Sequence, residues 1–198
     1  MNSQALWYLT RGSGVVALIL LTLAVLAGLA TESRWSSYRW PRFVVEALHR
    51  NLSLLGPVFL VIHVASAVLD SYVPISWVNA VVPFGASYRP FWLGMGALAL
   101  DLFLAVAITS LVRARLGYRR WRSVHWLAYA SWALAVVHGL GTGSDRHQTW
   151  FMVLNMAAVA SVVVAAALRF SRDSPPRGPR RLQPIPVPVR STPRGVRR

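Results

Sequence analysis

The chain has 198 residues, a formal charge of +15, a mean hydropathy of +0.46 and no cysteine. Disulfides, thiolate-bound iron–sulfur clusters and zinc–cysteine sites are therefore excluded, and a bound metal must use histidine, methionine or oxygen ligands. All 21 basic residues are arginines, set against six acids, and they lie between and after long apolar runs. That placement makes them topology charges of a membrane protein and argues against nucleic-acid binding.

The chain reads as an all-α, polytopic membrane bundle of about five transmembrane helices. The first apolar run, from Trp7 to Ala30, has Arg11 ahead of its apolar part from Val15 to Ala30 and could be mistaken for a signal peptide. Another hydrophobic segment follows soon after Thr31-Glu32-Ser33-Arg34, so a retained helix is the expectation. The second segment runs from Phe43 to Leu69, the third from Pro90 to Val112, the fourth from Trp121 to Leu140 and the fifth from Trp150 to Arg169. Each can cross about 30 Å of hydrocarbon at about 1.5 Å per residue.

The connections sort by charge. Arg34, Arg39 and Arg42 follow the first helix, and Arg113, Arg115, Arg119, Arg120 and Arg122 follow the third; nine more arginines lie from Arg169 onward. The opposite side carries only Arg11, Arg89 and Arg146. An N-terminus outside and a cytoplasmic C-terminus are expected, as an odd number of helices also requires. Trp7, Tyr8, Trp35, Trp40, Trp77, Trp92, Trp121 and Trp150 sit near the ends of the runs, where interfacial aromatics anchor a helix. Residues 1–170 form one membrane domain, and the Arg/Pro-rich stretch 171–198 reads as a disordered cytoplasmic tail.

Four of the five histidines lie in the second and fourth segments. His49 and His63 are 14 residues apart, and His125 and His138 are 13 apart. Each interval spans roughly 20 Å of helix. Both helices run in the same direction, so His49 shares a depth with His125 near the cytoplasmic edge, and His63 shares one with His138 near the outer edge. Two imidazoles facing each other at one depth are what a haem iron needs for bis-histidine axial ligation. The alternative is a set of buried histidines hydrogen-bonded between helices. At about 100° per residue the 14-residue step nearly returns to one face, whereas the 13-residue step misses it by about 140°. An ideal helix does not account for the second spacing. His147, beside Asp145 and Arg146, reads as a loop residue.

Asp101 lies inside the third run, where it is expected to be protonated, paired with a polar neighbour or part of a proton path. Arg50, Arg120 and Arg122 are candidates for an inner propionate, and Arg11 and Arg89 for an outer one. Gly139, Gly141 and Gly143 either admit an outer macrocycle or form a turn.

The His-x13-His and His-x12-His pattern, with Tyr88-Arg89-Pro90 and the stretch from Thr109 to Gly143, resembles the ferric reductase and NADPH oxidase superfamily, in particular actinobacterial stand-alone ferric-reductase-like membrane domains. The resemblance implies an inner haem b on His49 and His125 and an outer haem b on His63 and His138. Many members add a sixth helix and a flavin- and NAD(P)H-binding module, neither of which is found here. A separate flavoprotein or flavin donor is therefore implied. The expectation is an oxidoreductase subunit of a bacterial inner membrane that passes electrons to an external acceptor such as ferric iron. Its alternatives are the haem subunit of a methionine sulfoxide reductase-type system and a non-redox transporter or scaffold.

Overall fold

The computed structural model describes residues 3–33, 37–71 and 73–172. Arg34, Trp35 and residues 173–198 of the expected tail lie outside the described residues. The helices are α1 (Ser3–Glu32), α2 (Arg42–Leu69), α3 (Trp77–Val81), α4 (Pro90–Leu111), α5 (Arg113–Leu116), α6 (Tyr118–His125), α7 (Leu127–Thr142) and α8 (Thr149–Arg172), with a 3-10 turn at Ser144–His147. Among the described residues there is no strand.

Four helices, α1, α2, α4 and α8, are long and apolar enough to cross a membrane. Their bounds lie within a few residues of the expected first, second, third and fifth segments. The expected fourth segment is divided. Its helix stops at His125 and restarts at Leu127, and the Tyr129 N–H reaches back only three residues to the Trp126 carbonyl, at 3.2 Å. The interruption is local: Trp126 keeps helical dihedrals (φ −62°, ψ −23°), and it falls between His125 and His138.

Local chemistry sets several boundaries. Pro41 has no N–H and a φ of −65°, which suits it to precede α2. Arg89 takes the left-handed conformation (φ 42°) and hands the chain to Pro90 at the first turn of α4. Gly117, at φ 75°, turns the chain between α5 and α6, a conformation that residues with a Cβ rarely adopt. Pro57 lies inside α2 between the two histidines and removes the helical donor to the Ser53 carbonyl.

The bundle is built from two long pairings, α1 with α2 and α4 with α7, joined where α1 also packs on α7 and α8. Leu18 and Leu29 of α1, Trp132 and Val136 of α7, and Ala158 and Val162 of α8 form the core between them. Two buried polar contacts tie the helices together: the Trp132 indole donates to Thr22 Oγ1 at 3.0 Å, and Ser131 donates to the Ala99 carbonyl at 2.8 Å. The outer faces remain apolar, with Val61 67% and Val153 61% exposed. Such a surface suits a lipid bilayer, where burial in water is not available to drive packing.

The two ends differ. At the start of α1, Arg11 forms an ion pair with Asp145 and its guanidinium lies over the Trp7 ring at 3.9 Å. At the opposite, arginine-rich end, Glu32 pairs with Arg122 and with Arg169, so that one carboxylate links α1 to α6 and α8.

Candidate paired-histidine site

The fold brings the four histidines together as two pairs, one from α2 and one from the α6–α7 segment in each. The His49 and His125 ring centroids are 6.2 Å apart with the planes at 81°, and those of His63 and His138 are 6.3 Å apart at 83°. The depth matching expected from the spacings is therefore realised on both layers. All four residues are half-buried.

Three of the rings are oriented in the same way. Nδ1 of His63 meets the Thr10 carbonyl at 2.8 Å, Nδ1 of His49 meets the Ala24 carbonyl at 2.9 Å, and Nδ1 of His138 meets the Trp92 carbonyl at 2.9 Å. A carbonyl only accepts, so each Nδ1 carries the proton and donates it. The other nitrogen, Nε2, is left with a free lone pair on the side of the ring away from that carbonyl. Nε2 of His138 has Thr142 Oγ1 as a neighbour at the outer limit of hydrogen bonding, 3.5 Å.

Each of these carbonyls belongs to the residue four before a glycine: Thr10 before Gly14, Ala24 before Gly28, and Trp92 before Gly96. A Cβ on Gly14 would sit 2.8 Å from His63, one on Gly28 would sit 3.3 Å from His49, and one on Gly96 would overlap His138 Nδ1. The absent side chains are what let the rings reach the helix backbone. Composition, charge and histidine spacing did not single out these glycines. Their signal is visible afterwards: Gly14 and Gly28 repeat the 14-residue interval of His49 and His63.

His125 is the exception. Its Nδ1 is buried without a hydrogen-bond partner. Its ring instead lies against Trp121, with centroids 4.9 Å apart and planes tilted by 30°.

Around the outer pair is a cavity of about 510 Å³, walled by Gly14, Leu18, Gly96 and Phe103 together with His63 and His138. Arg11, Arg89 and Asp145 also line it. Arg11 is engaged with Asp145, and Arg89 donates to the Gly141 carbonyl at 2.6 Å. Arg50 and Arg120 are exposed at the arginine-rich end, and Arg122 also bonds Tyr118 at 2.5 Å. Gly141 seats the Trp92 ring and Gly139 faces Phe151, while Gly139 and Gly143 also line the cavity. Asp101 is half-buried on α4. His147 lies in the 3-10 turn, where Arg146 donates to its Nε2 at 2.9 Å, away from both pairs.

Residues 5–145 match a family described as Domain of unknown function (DUF8596). The chain belongs to that family. The match runs from α1 to the 3-10 turn and contains all four paired histidines and the three glycines beneath them. No curated protein and no solved structure matches the chain.

Proposed function

We propose that the chain is a dihaem b membrane cytochrome of ferric-reductase-like type, with one haem between His49 and His125 and the other between His63 and His138. The observation that carries this reading is the gap between the paired rings. From a ring centre to its nitrogen is roughly 1.2 Å, so centroids 6.2 and 6.3 Å apart leave facing nitrogens no closer than about 4 Å. That is too far for an N–H···N hydrogen bond and leaves room for two metal–imidazole bonds of about 2 Å each. A histidine kept only as a hydrogen-bonded contact explains the carbonyl partners but gives no reason for this gap to occur twice.

Among the described residues no three His, Cys, Asp or Glu come together to hold a bare metal ion. A bis-imidazole haem site asks for only two protein ligands, because the macrocycle supplies the rest. A haem bound there provides a one-electron iron couple. The paired histidines would hold it, the backbone carbonyls fix the tautomer of three of the imidazoles and raise their basicity, and the apolar walls would exclude water. Held by two histidines, it would have no open coordination site for dioxygen.

The layers lie one above the other along the bundle, as a path across a bilayer requires. With the arginine-rich end in the cytoplasm of a bacterial inner membrane, electrons enter there from a separate flavin or flavoprotein and leave on the side of Arg11. Ferric iron is one acceptor of suitable chemistry. The methionine sulfoxide reductase-type reading shares this scaffold and differs in the external acceptor.

The test is the visible spectrum and haem-to-protein ratio of the purified full chain. Two haems b per chain are expected, and His63→Ala, His138→Ala and the double variant should each retain about half. A dithionite-reduced sample lacking haem b bands, after expression with adequate haem, refutes the proposal.

A further inference from the structure

The helices flanking the histidines carry a 14-residue repeat that is broken once. On α1 the receiving carbonyl and its glycine occur as Thr10 with Gly14 and again as Ala24 with Gly28. On α4 the outer member is Trp92 with Gly96. The same step along α4 arrives at Val106 and Ser110, at the depth of His125. Here the glycine is replaced by serine, and the Val106 carbonyl is approached by Thr109 Oγ1 at 3.2 Å.

Ser110 has a different partner. The Trp121 indole N–H donates to its Oγ at 3.2 Å, and the Trp121 ring lies against His125. Nδ1 of His125 is a buried atom left without a hydrogen-bond partner among the described residues. In a helix the carbonyl of residue i bonds the N–H of residue i+4, and the Cβ of residue i+4 flanks the lone pair that stays free. Glycine at that position exposes the lone pair to an imidazole; serine covers it and offers the indole an anchor.

We propose that Ser110 and Trp121 are positioning residues that hold His125 by ring packing in place of a carbonyl bond, making the inner haem electronically distinct from the outer one. This rests on the dihaem reading. A donated Nδ1–H raises the basicity of an imidazole and favours ferric over ferrous iron. His49, His63 and His138 have that bond; His125 does not. The inner site therefore has one weaker axial donor and is raised in potential by it.

The experiment is a potentiometric titration of the haem-loaded full chain. Ser110→Gly, combined with Thr109→Val so that no hydroxyl occupies the Val106 carbonyl, is made in a His63→Ala background, which keeps the inner haem, and in a His49→Ala background, which keeps the outer. Uncovering the Val106 carbonyl should lower the inner midpoint and leave the outer unmoved. Trp121→Phe keeps a ring beside His125 but removes its anchor, and should change the low-spin ferric electron paramagnetic resonance signal of the inner haem alone. Haem bands with an inner midpoint and signal that neither substitution moves, or equal shifts at both layers, overturn this inference only. Should Ser110→Gly not accumulate, the Trp121→Phe signal decides. A parent protein without haem bands overturns the dihaem reading, and this inference with it.

Discussion

On the proposed dihaem reading, adding one methyl group at each glycine under a histidine should weaken haem retention in an order set by the room available. At Gly14 the new Cβ would lie 2.8 Å from His63, about 0.6 Å short of ordinary contact, so the imidazole must withdraw from the Thr10 carbonyl. Losing that bond costs about 0.5–1.5 kcal/mol and the overpacking about 1–3 kcal/mol, against about 0.5–1 kcal/mol gained by replacing glycine with alanine inside a helix. The net of about 0.5–4 kcal/mol corresponds to roughly 2- to 800-fold weaker retention of the outer haem. At Gly28 the distance is 3.3 Å, a shortfall of only about 0.1 Å, and the inner haem should weaken less than about threefold. Gly96→Ala, whose Cβ overlaps His138, should be the most damaging. Gly12 has nothing within 4 Å, so Gly12→Ala should be neutral or stabilising by about 0.4–1 kcal/mol. The assay is haem transfer from each purified variant to an excess of a haem-scavenging apoprotein, with protein stability followed in parallel. The reasoning fails if Gly28→Ala releases haem as readily as Gly14→Ala, or if Gly12→Ala is worse than either.

Three further outcomes are expected. Reporter fusions should place the N-terminus outside and the C-terminus in the cytoplasm; a cytoplasmic N-terminus would contradict the reading of the arginine asymmetry. Thr22→Val removes the acceptor of the buried Trp132 indole and should lower stability by about 0.6–1.7 kcal/mol, measured by unfolding in detergent, with an unchanged transition sinking the claim. Arg11→Gln strands Asp145 at the rim of the cavity and should cost about 1–2 kcal/mol, part of which the added Asp145→Asn substitution restores; additive losses in the double variant would show that the pair is not coupled.

Much of the architecture could be read from the linear pattern. Four apolar runs fixed helices that the structure places within a few residues, because a span needs a certain length of uninterrupted apolar chain whatever its neighbours do. The depth pairing of the histidines was legible for a related reason: rise per residue is constant, so intervals of 14 and 13 residues in helices of the same direction put His49 level with His125 and His63 level with His138. Azimuth was less secure. The 13-residue step was at odds with one helical face, and the break at Trp126 lies between the residues in question, where no proline or glycine marks it.

What only the tertiary structure decided is the support behind the rings. Whether a carbonyl of α1 or α4 can receive an imidazole depends on which faces of two helices meet, at what register, and on whether the residue four positions later has a side chain. None of this is a property of one helix alone. Gly14, Gly28 and Gly96 look like ordinary small residues in apolar runs until the facing helix brings His63, His49 and His138 over them. Ser110 looks like an ordinary helix-end serine until the Trp121 indole is found on it and His125 beside that ring. The sequence by itself determined lengths, depths and the candidate histidines, because those follow from local geometry; the packing of helix on helix decided which backbone atoms hold three of these histidines and left the fourth without one.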